Sequence, residues 1–238
     1  LFKHKAVEKR EGYRKGHLTA KPGTTPSEGE SKTGLQTLEL SQMKDCLLYV
    51  PKRYQHQHPA AVALMLHGAG GNAEHGISYI RQYADEKNII LLAPASEDYS
   101  WDIIAGNAFG ADVMFIDRAL TYVFTHFSIV PSAVAIGGFS DGASYALSIG
   151  LSNGNLFSHI IAFSPGFYYT YENRGKPSVY LSHGTGDDVL PIDPCSRRIV
   201  PKLKLEGLAI LYEEFNGRHE IPPSISKAAV DWFVTNEQ

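Results

Sequence analysis

The chain has 238 residues, 43% hydrophobic and 20% charged, as in folded globular proteins and unlike disordered, collagen-like or coiled-coil sequences. With 22 Lys+Arg against 25 Asp+Glu the formal net charge is −3, so no overall basic field points to nucleic acid. The longest apolar runs, Ala60–Leu66 and Ile89–Ala93, are strand-sized, far short of the roughly 20 residues a bilayer span needs.

The chain begins at Leu1 rather than Met, so upstream sequence is expected to have been removed. Its first residues hold no signal-peptide apolar region, and a soluble, cytoplasmic protein is expected. Leu1–Lys21 carries an excess of base (Lys3, Lys5, Lys9, Arg10, Arg14, Lys15, Lys21) over Glu8 and Glu11 and reads as a solvated arm, with a contact to membrane surface or nucleic acid as the alternative. Pro22–Lys32 reads as a loop. Residues 1–34 are thus expected to form an arm ahead of a single domain over 35–238. Cys46 and Cys195 are too few for a disulfide framework and read as free thiols, a single bridge being the alternative.

Leu35–Leu40 and Cys46–Val50, separated by Ser41–Asp45, predict an antiparallel hairpin ended by Pro51. Continuous apolar runs then alternate with amphipathic segments. Ala61–Leu66 has no polar face and predicts a strand buried on both sides. A helix is expected over Ile77–Lys87 and a strand over Ile89–Ala93. Val113, Ile116, Leu120, Val123, Phe124 and Phe127 recur at three- and four-residue steps, the stripe of a helix lying on a sheet. Strands are expected over Val134–Gly138, His159–Phe163, Ser178–Ser182 and Leu208–Phe215. Helices are expected over Gly142–Leu151, Ile199–Leu205 and Pro222–Val234. Such alternation predicts an α/β fold with a mainly parallel sheet, whose ligand site lies at the carboxyl ends of the strands.

Three strand ends carry chemistry. Gly138-Phe139-Ser140-Asp141-Gly142 places a serine at a strand-to-helix turn, where the two glycines remove Cβ atoms that would collide, and makes Ser140 a candidate nucleophile. His67-Gly68-Ala69-Gly70-Gly71 follows the Ala61–Leu66 run. An N–H of this loop, at Ala69 or alternatively at Gly70, could join that of Asp141 in holding an oxyanion; one such donor contributes about 2.7–4 kcal/mol in well-studied enzymes. His67 itself is read as bracing the loop. His183-Gly184-Thr185-Gly186-Asp187-Asp188 supplies two candidate acids, and the G-x-x-D spacing favours Asp187. In serine hydrolases on such sheets the order along the chain is nucleophile, acid, histidine, and His219 is the one histidine after Asp187. Ser140, His219 and Asp187 form the expected triad. His56 and His58 lie in a Pro-flanked loop with no carboxylate at ligand spacing, so no metal is expected there, and no cofactor is implied.

These motifs, with Gly34-Leu35, Leu47–Pro51, Trp101-Asp102, Ala162–Gly166 and Ser182–Pro191, make the chain resemble the phospholipase/carboxylesterase group of α/β-hydrolases, small esterases related to acyl-protein thioesterases. The resemblance implies an α/β-hydrolase fold with helices on both faces of the sheet. It also implies the same triad, with oxyanion donors at Ala69 and Asp141, acting on a small-molecule ester, with thioesters or lysophospholipids as alternatives on the same residues. Asp141 stands where acyl-protein thioesterases usually carry Gln, which places the chain nearer the broader esterase branch. A fold that has lost catalysis and serves as a ligand receptor is the rival of another class. Between Phe163 and Ser178 there is room for a loop but not a large cap, so an open, shallow site with a short-acyl preference is expected. Phe167, Tyr168 and Trp101 are its candidate walls; packing beneath their own loops is the alternative for these aromatics.

Overall fold

The computed structural model describes residues 2–23, 32–41 and 45–235, with side chains in the first helix described from Val7 onward. Most of the loop expected over Pro22–Lys32 and of the turn over Ser41–Asp45 lies outside those residues, as does Leu1. Eight strands form one sheet in the order β1-β2-β4-β3-β5-β6-β7-β8. Strands β1 (Gly34–Thr37) and β2 (Cys46–Val50) are the expected hairpin, and β2 also pairs antiparallel with β4 (Ile89–Pro94). From β4 through β3 (Ala60–Leu66), β5 (Ile129–Phe139), β6 (His159–Phe163), β7 (Ser178–Gly184) and β8 (Ile210–Phe215) every pairing is parallel.

Both faces of the sheet are covered, which is why its central strands read as unbroken apolar runs. Successive residues of β3 divide between the faces: Val62, Leu64 and Leu66 on one, Ala61, Ala63 and Met65 on the other. The first face packs on α4 (Asp102–Ala105), α5 (Ala111–His126), α6 (Asp141–Ser152) and α7 (Ser196–Leu205), through Ile103, Val113, Ile116, Leu120, Tyr145, Leu147, Ile199 and Leu203. The second packs on α2 (Ala73–Ser78), α3 (Ala84–Lys87) and α8 (Pro223–Thr235), through Ile77, Ala84, Ile225, Val230 and Phe233. The helix expected over Ile77–Lys87 is broken: Ile80 leaves helical geometry at φ −135°, and a 3₁₀ turn over Arg81–Tyr83 leads into α3.

The basic arm is not simply solvated. Phe2–Arg14 forms helix α1, and Tyr13, Gly16, His17 and Ala20 are buried. Asp117 on α5 anchors this segment, accepting from the Tyr13 hydroxyl at 2.7 Å, the Thr19 amide at 2.6 Å and hydroxyl at 2.6 Å, and the Ala20 amide at 2.7 Å. Asn153 adds bonds to Gly16 O and the Leu18 amide. Of the basic residues with described side chains, Lys9, Arg10, Arg14, Lys15 and Lys21 are exposed, Lys9 lying 3.4 Å from Asp117, and composition could not show the polar partners waiting on α5 and after α6. Cys46 and Cys195 are both free and buried, and burial pushes the Cys46 thiol up to about 12. Among the described residues no helix is long and apolar enough to cross a membrane.

Candidate active site

At the end of β5 the chain turns sharply into α6, and Ser140 sits at the turn with φ 57° and ψ −122°, a region that L-residues rarely adopt. The surroundings hold it there. The Ser140 amide donates to Phe163 O at 2.9 Å, while its carbonyl accepts from the amides of Ala143 and Ser144. A Cβ at Gly142 would lie 2.1 Å from Leu66 O, and one at Gly138 would lie 2.5 Å from the Gly142 carbonyl, so the turn closes only with glycine at both places. Asp141 opens α6, where a backbone N–H has no intrahelical acceptor and the helix dipole favours negative charge. Its carboxylate accepts from Ser100 Oγ at 2.6 Å.

The loop after β3 lies beside this turn: a Cβ on Gly68 would be 3.4 Å from the Ser140 Cβ. His67 braces the loop. Its Nε2 accepts the Ser96 amide at 2.9 Å, so the ring proton is on Nδ1, 2.7 Å from Gly68 O. Burial lowers the pKa of this imidazole, against the opposite pull of Gly68 O. The amides of Gly70 and Gly71 donate to Tyr99 O and Gly68 O. That of Gly68 faces the Tyr79 hydroxyl, which burial pushes up to about 12 against the pull of this amide. Of the two donors the sequence left open, Gly70 is therefore already engaged, whereas Ala69 has no acceptor for its N–H among the described residues.

Trp101 corrects an expectation. It is fully buried, stacked on Tyr145 at 5.1 Å between ring centroids, tilted against His67 at 4.8 Å, and its Nε1 donates to His67 O at 2.9 Å. The indole with its satisfied N–H supports the His67 loop, packed beneath its own loop as the alternative expectation had it.

The acid and the histidine arrive on adjoining loops. Gly184 ends β7, and its missing side chain lets the 216–220 loop pack on it: a Cβ there would be 2.2 Å from Arg218 O. The Gly186 amide donates to Gly217 O at 2.9 Å. So joined, the loops set His219 Nδ1 2.6 Å from Asp187 Oδ2. Asp187 Oδ1 accepts the amides of Val189 and Leu190 at 2.9 and 2.8 Å. Burial would raise this carboxyl, but the His219 N–H and the two amides outweigh it and hold it below the usual carboxylate range. Asp188 points outward, 3.6 Å from the Arg218 guanidinium. The His219 ring packs on Phe139, the residue before Ser140, at 4.6 Å between centroids. Among the described residues, no hydrogen bond joins Ser140 Oγ to that ring.

The short loop after β6 is held by serines that sequence reasoning passed over. Ser144 and Ser148 on α6 accept the amides of Gly166 and Tyr169, each at 2.9 Å. Their S-x-x-x-S spacing, one turn apart on the helix leaving the Ser140 turn, was the available signal. The loop presents Phe167, Tyr168 and Tyr169 to an open cavity of about 450 Å³, which Ile103, Ile104 and Asn107 also line. Phe167 is exposed. Tyr168 is half-buried beneath Lys202, and its hydroxyl donates to Glu206 at 2.8 Å. His56 packs on Tyr54 and His58 is exposed. Among the described residues no group of three His, Cys, Asp or Glu side chains is arranged to hold a metal ion.

The architecture is shared with known proteins. No protein-family model matches the chain. The S-formylglutathione hydrolase of Staphylococcus aureus superposes with a TM-score of 0.69 at 17% identity, covering 88% of this chain and 99% of that one. This is the α/β-hydrolase fold. Two curated proteins carry the name "Probable feruloyl esterase C". That of Aspergillus clavatus is 28% identical over 199 residues, 79% of this chain and 68% of its own length. That of Aspergillus niger is 26% identical over 177 residues, 71% of this chain and 64% of its own length. The matched part thus amounts to about two thirds of each relative.

Proposed function

We propose that this α/β-hydrolase-fold protein is a serine esterase that hydrolyses carboxylic esters through an acyl-enzyme, with Ser140, His219 and Asp187 as its triad. The observation that carries the reading is the strained serine turn beside an imidazole already bonded to a buried aspartate. His219 Nε2 takes the Ser140 proton as Oγ bonds to the ester carbonyl carbon, and the Asp187 carboxylate stabilises the imidazolium. The N–H groups of Ala69 and Asp141 receive the oxyanion. Collapse of the tetrahedral intermediate breaks the carbon–alkoxide bond, and His219 returns the proton to the departing alcohol. Water then repeats the sequence on the acyl-serine, releasing acid and free Ser140.

For the substrate, the aromatic walls of the cavity and the relatives' feruloyl esterase names together support an ester of an aromatic acid, a hydroxycinnamate, over the short aliphatic acyl groups expected from an open site. The test compares methyl ferulate with methyl acetate and methyl butanoate on the wild-type protein and on Ser140→Ala. The wild type should favour methyl ferulate at least tenfold in kcat/KM and take up a fluorophosphonate label. The variant should keep its circular dichroism spectrum and lose both properties. Undiminished turnover in Ser140→Ala sinks the nucleophile assignment; a preference for the alkanoates sinks the substrate class; a folded wild type inert to label and esters alike is the receptor.

A further inference from the structure

The carboxylate of the proposed triad has a second imidazole behind it. Asp187 Oδ2, which His219 approaches from the site, lies 3.2 Å from Nε2 of His183, and both of these side chains are fully buried. His183 is on β7, four residues before Asp187, and its ring is held at both nitrogens. The hydrogen bond at Nε2 goes to Leu190 O at 2.7 Å, so Nε2 carries a hydrogen, and Asp187 Oδ2 at 3.2 Å is a second, longer contact of the same N–H. Nδ1 faces the hydroxyl of Ser196, buried at the start of α7, at 2.6 Å and accepts from it. The titratable groups around the ring are Asp187, His219 from the adjoining loop, and Glu214 from β8, itself paired with Arg197. Burial favours the neutral ring over the pull of Leu190 O and Asp187.

We propose that His183 is a positioning residue for catalysis, whose Nε2–H, shared between Leu190 O and Asp187 Oδ2, holds the carboxylate toward His219 and draws off part of its negative charge. This rests on the triad reading above. Two effects follow. Without the donor, the carboxylate is free to rotate about its Oδ1 bonds, and the imidazole it orients loses alignment with Ser140. The charge on Oδ2 is also no longer shared with His183, so the acidic limb of kcat/KM moves to higher pH. Ser196 fixes the tautomer that makes His183 a donor on the correct side.

The test measures kcat, KM and the pH dependence of kcat/KM for His183→Leu, His183→Gln and Asp187→Asn, together with the ¹⁵N spectrum of the wild-type histidines. His183→Leu should lose about 10–100-fold in kcat, the scale of a misaligned reacting group, with KM within threefold and the acidic limb moved upward by half a pH unit or more. His183→Gln, whose side-chain amide can place an N–H near the lost Nε2, should recover most of both changes. The ¹⁵N spectrum should show His183 neutral with its proton on Nε2. A folded His183→Leu with unchanged kcat and limb overturns the proposal, as does a charged ring or a proton on Nδ1, a reading that stands even if His183→Leu does not fold. If Asp187→Asn is itself fully active, the triad reading fails instead.

Discussion

Asp187 and Asp188 are chemically identical neighbours with opposite surroundings. The first is buried with two amides on one oxygen and two imidazoles on the other; the second is exposed beside Arg218. Asp187→Asn should lower kcat by up to about 10⁴, because an amide group at that position holds the wrong histidine tautomer. Asp188→Asn should stay within about twofold, since exposed ion pairs contribute little. Steady-state kinetics on one ester decides, and a crippled Asp188→Asn would reverse the assignment. Trp101 shows the same dependence on surroundings: a tryptophan in a loop near the site reads as a pocket wall, yet here it is a buried strut. Trp101→Ala should destabilise the fold by about 3–5 kcal/mol through loss of the stacked indole, read from urea denaturation. A loss below 1 kcal/mol would show that the ring supports nothing.

Among the elements, the β5–α6 turn is the least tolerant. The Cβ of Gly142→Ala would meet a backbone oxygen of β3 at 2.1 Å, and the backbones of two elements cannot both give way as a flexible side chain could. Expression of Gly142→Ala should yield no soluble folded protein, whereas Ser140→Ala should fold normally. A well-folded Gly142→Ala with a wild-type melting temperature would show that the packing is looser than drawn. The strands and this turn were legible in the sequence because parallel strands buried on both faces must be apolar throughout, and the G-x-S-x-G glycines mark a turn that other residues cannot make. The break in the Ile77–Lys87 helix was not, because its apolar positions keep a helical rhythm across the 3₁₀ turn and Asn88 ends α3 by a left-handed conformation at φ 51°.

For the whole molecule, the N-terminal segment is tied to the sheet domain chiefly through Asp117, with Asn153 adding two bonds. Asp117→Ala leaves its donors without their acceptor and should cost about 2–4 kcal/mol, exposing the basic residues before Lys21 to trypsin. An unchanged cleavage rate would mean the segment is held by its apolar contacts. Stability should also depend on pH through the buried histidines. Burial lowers the pKa of His17, His67, His159 and His183. The unfolded chain, with histidines near about 6.5, therefore takes up protons first as pH falls. Stability from the neutral rings is fully present above that value and is lost as pH falls from there through the lowered folded pKa values. The melting temperature should drop between pH 7 and pH 5, ahead of the carboxylate range; a flat profile over that interval would contradict it.

The alternation of strands and helices and the serine turn could be read along the chain, because each depends on local chain geometry. Distant segments had to meet before it was decided which aspartate faces the imidazole, that the Ala69 amide is left without an acceptor among the described residues, that Trp101 is buried against His67 and Tyr145, and that His183 lies against Asp187. Those outcomes depend on which groups from distant segments meet, and burial and hydrogen bonding at such meetings leave no spacing in the chain from which they could be read.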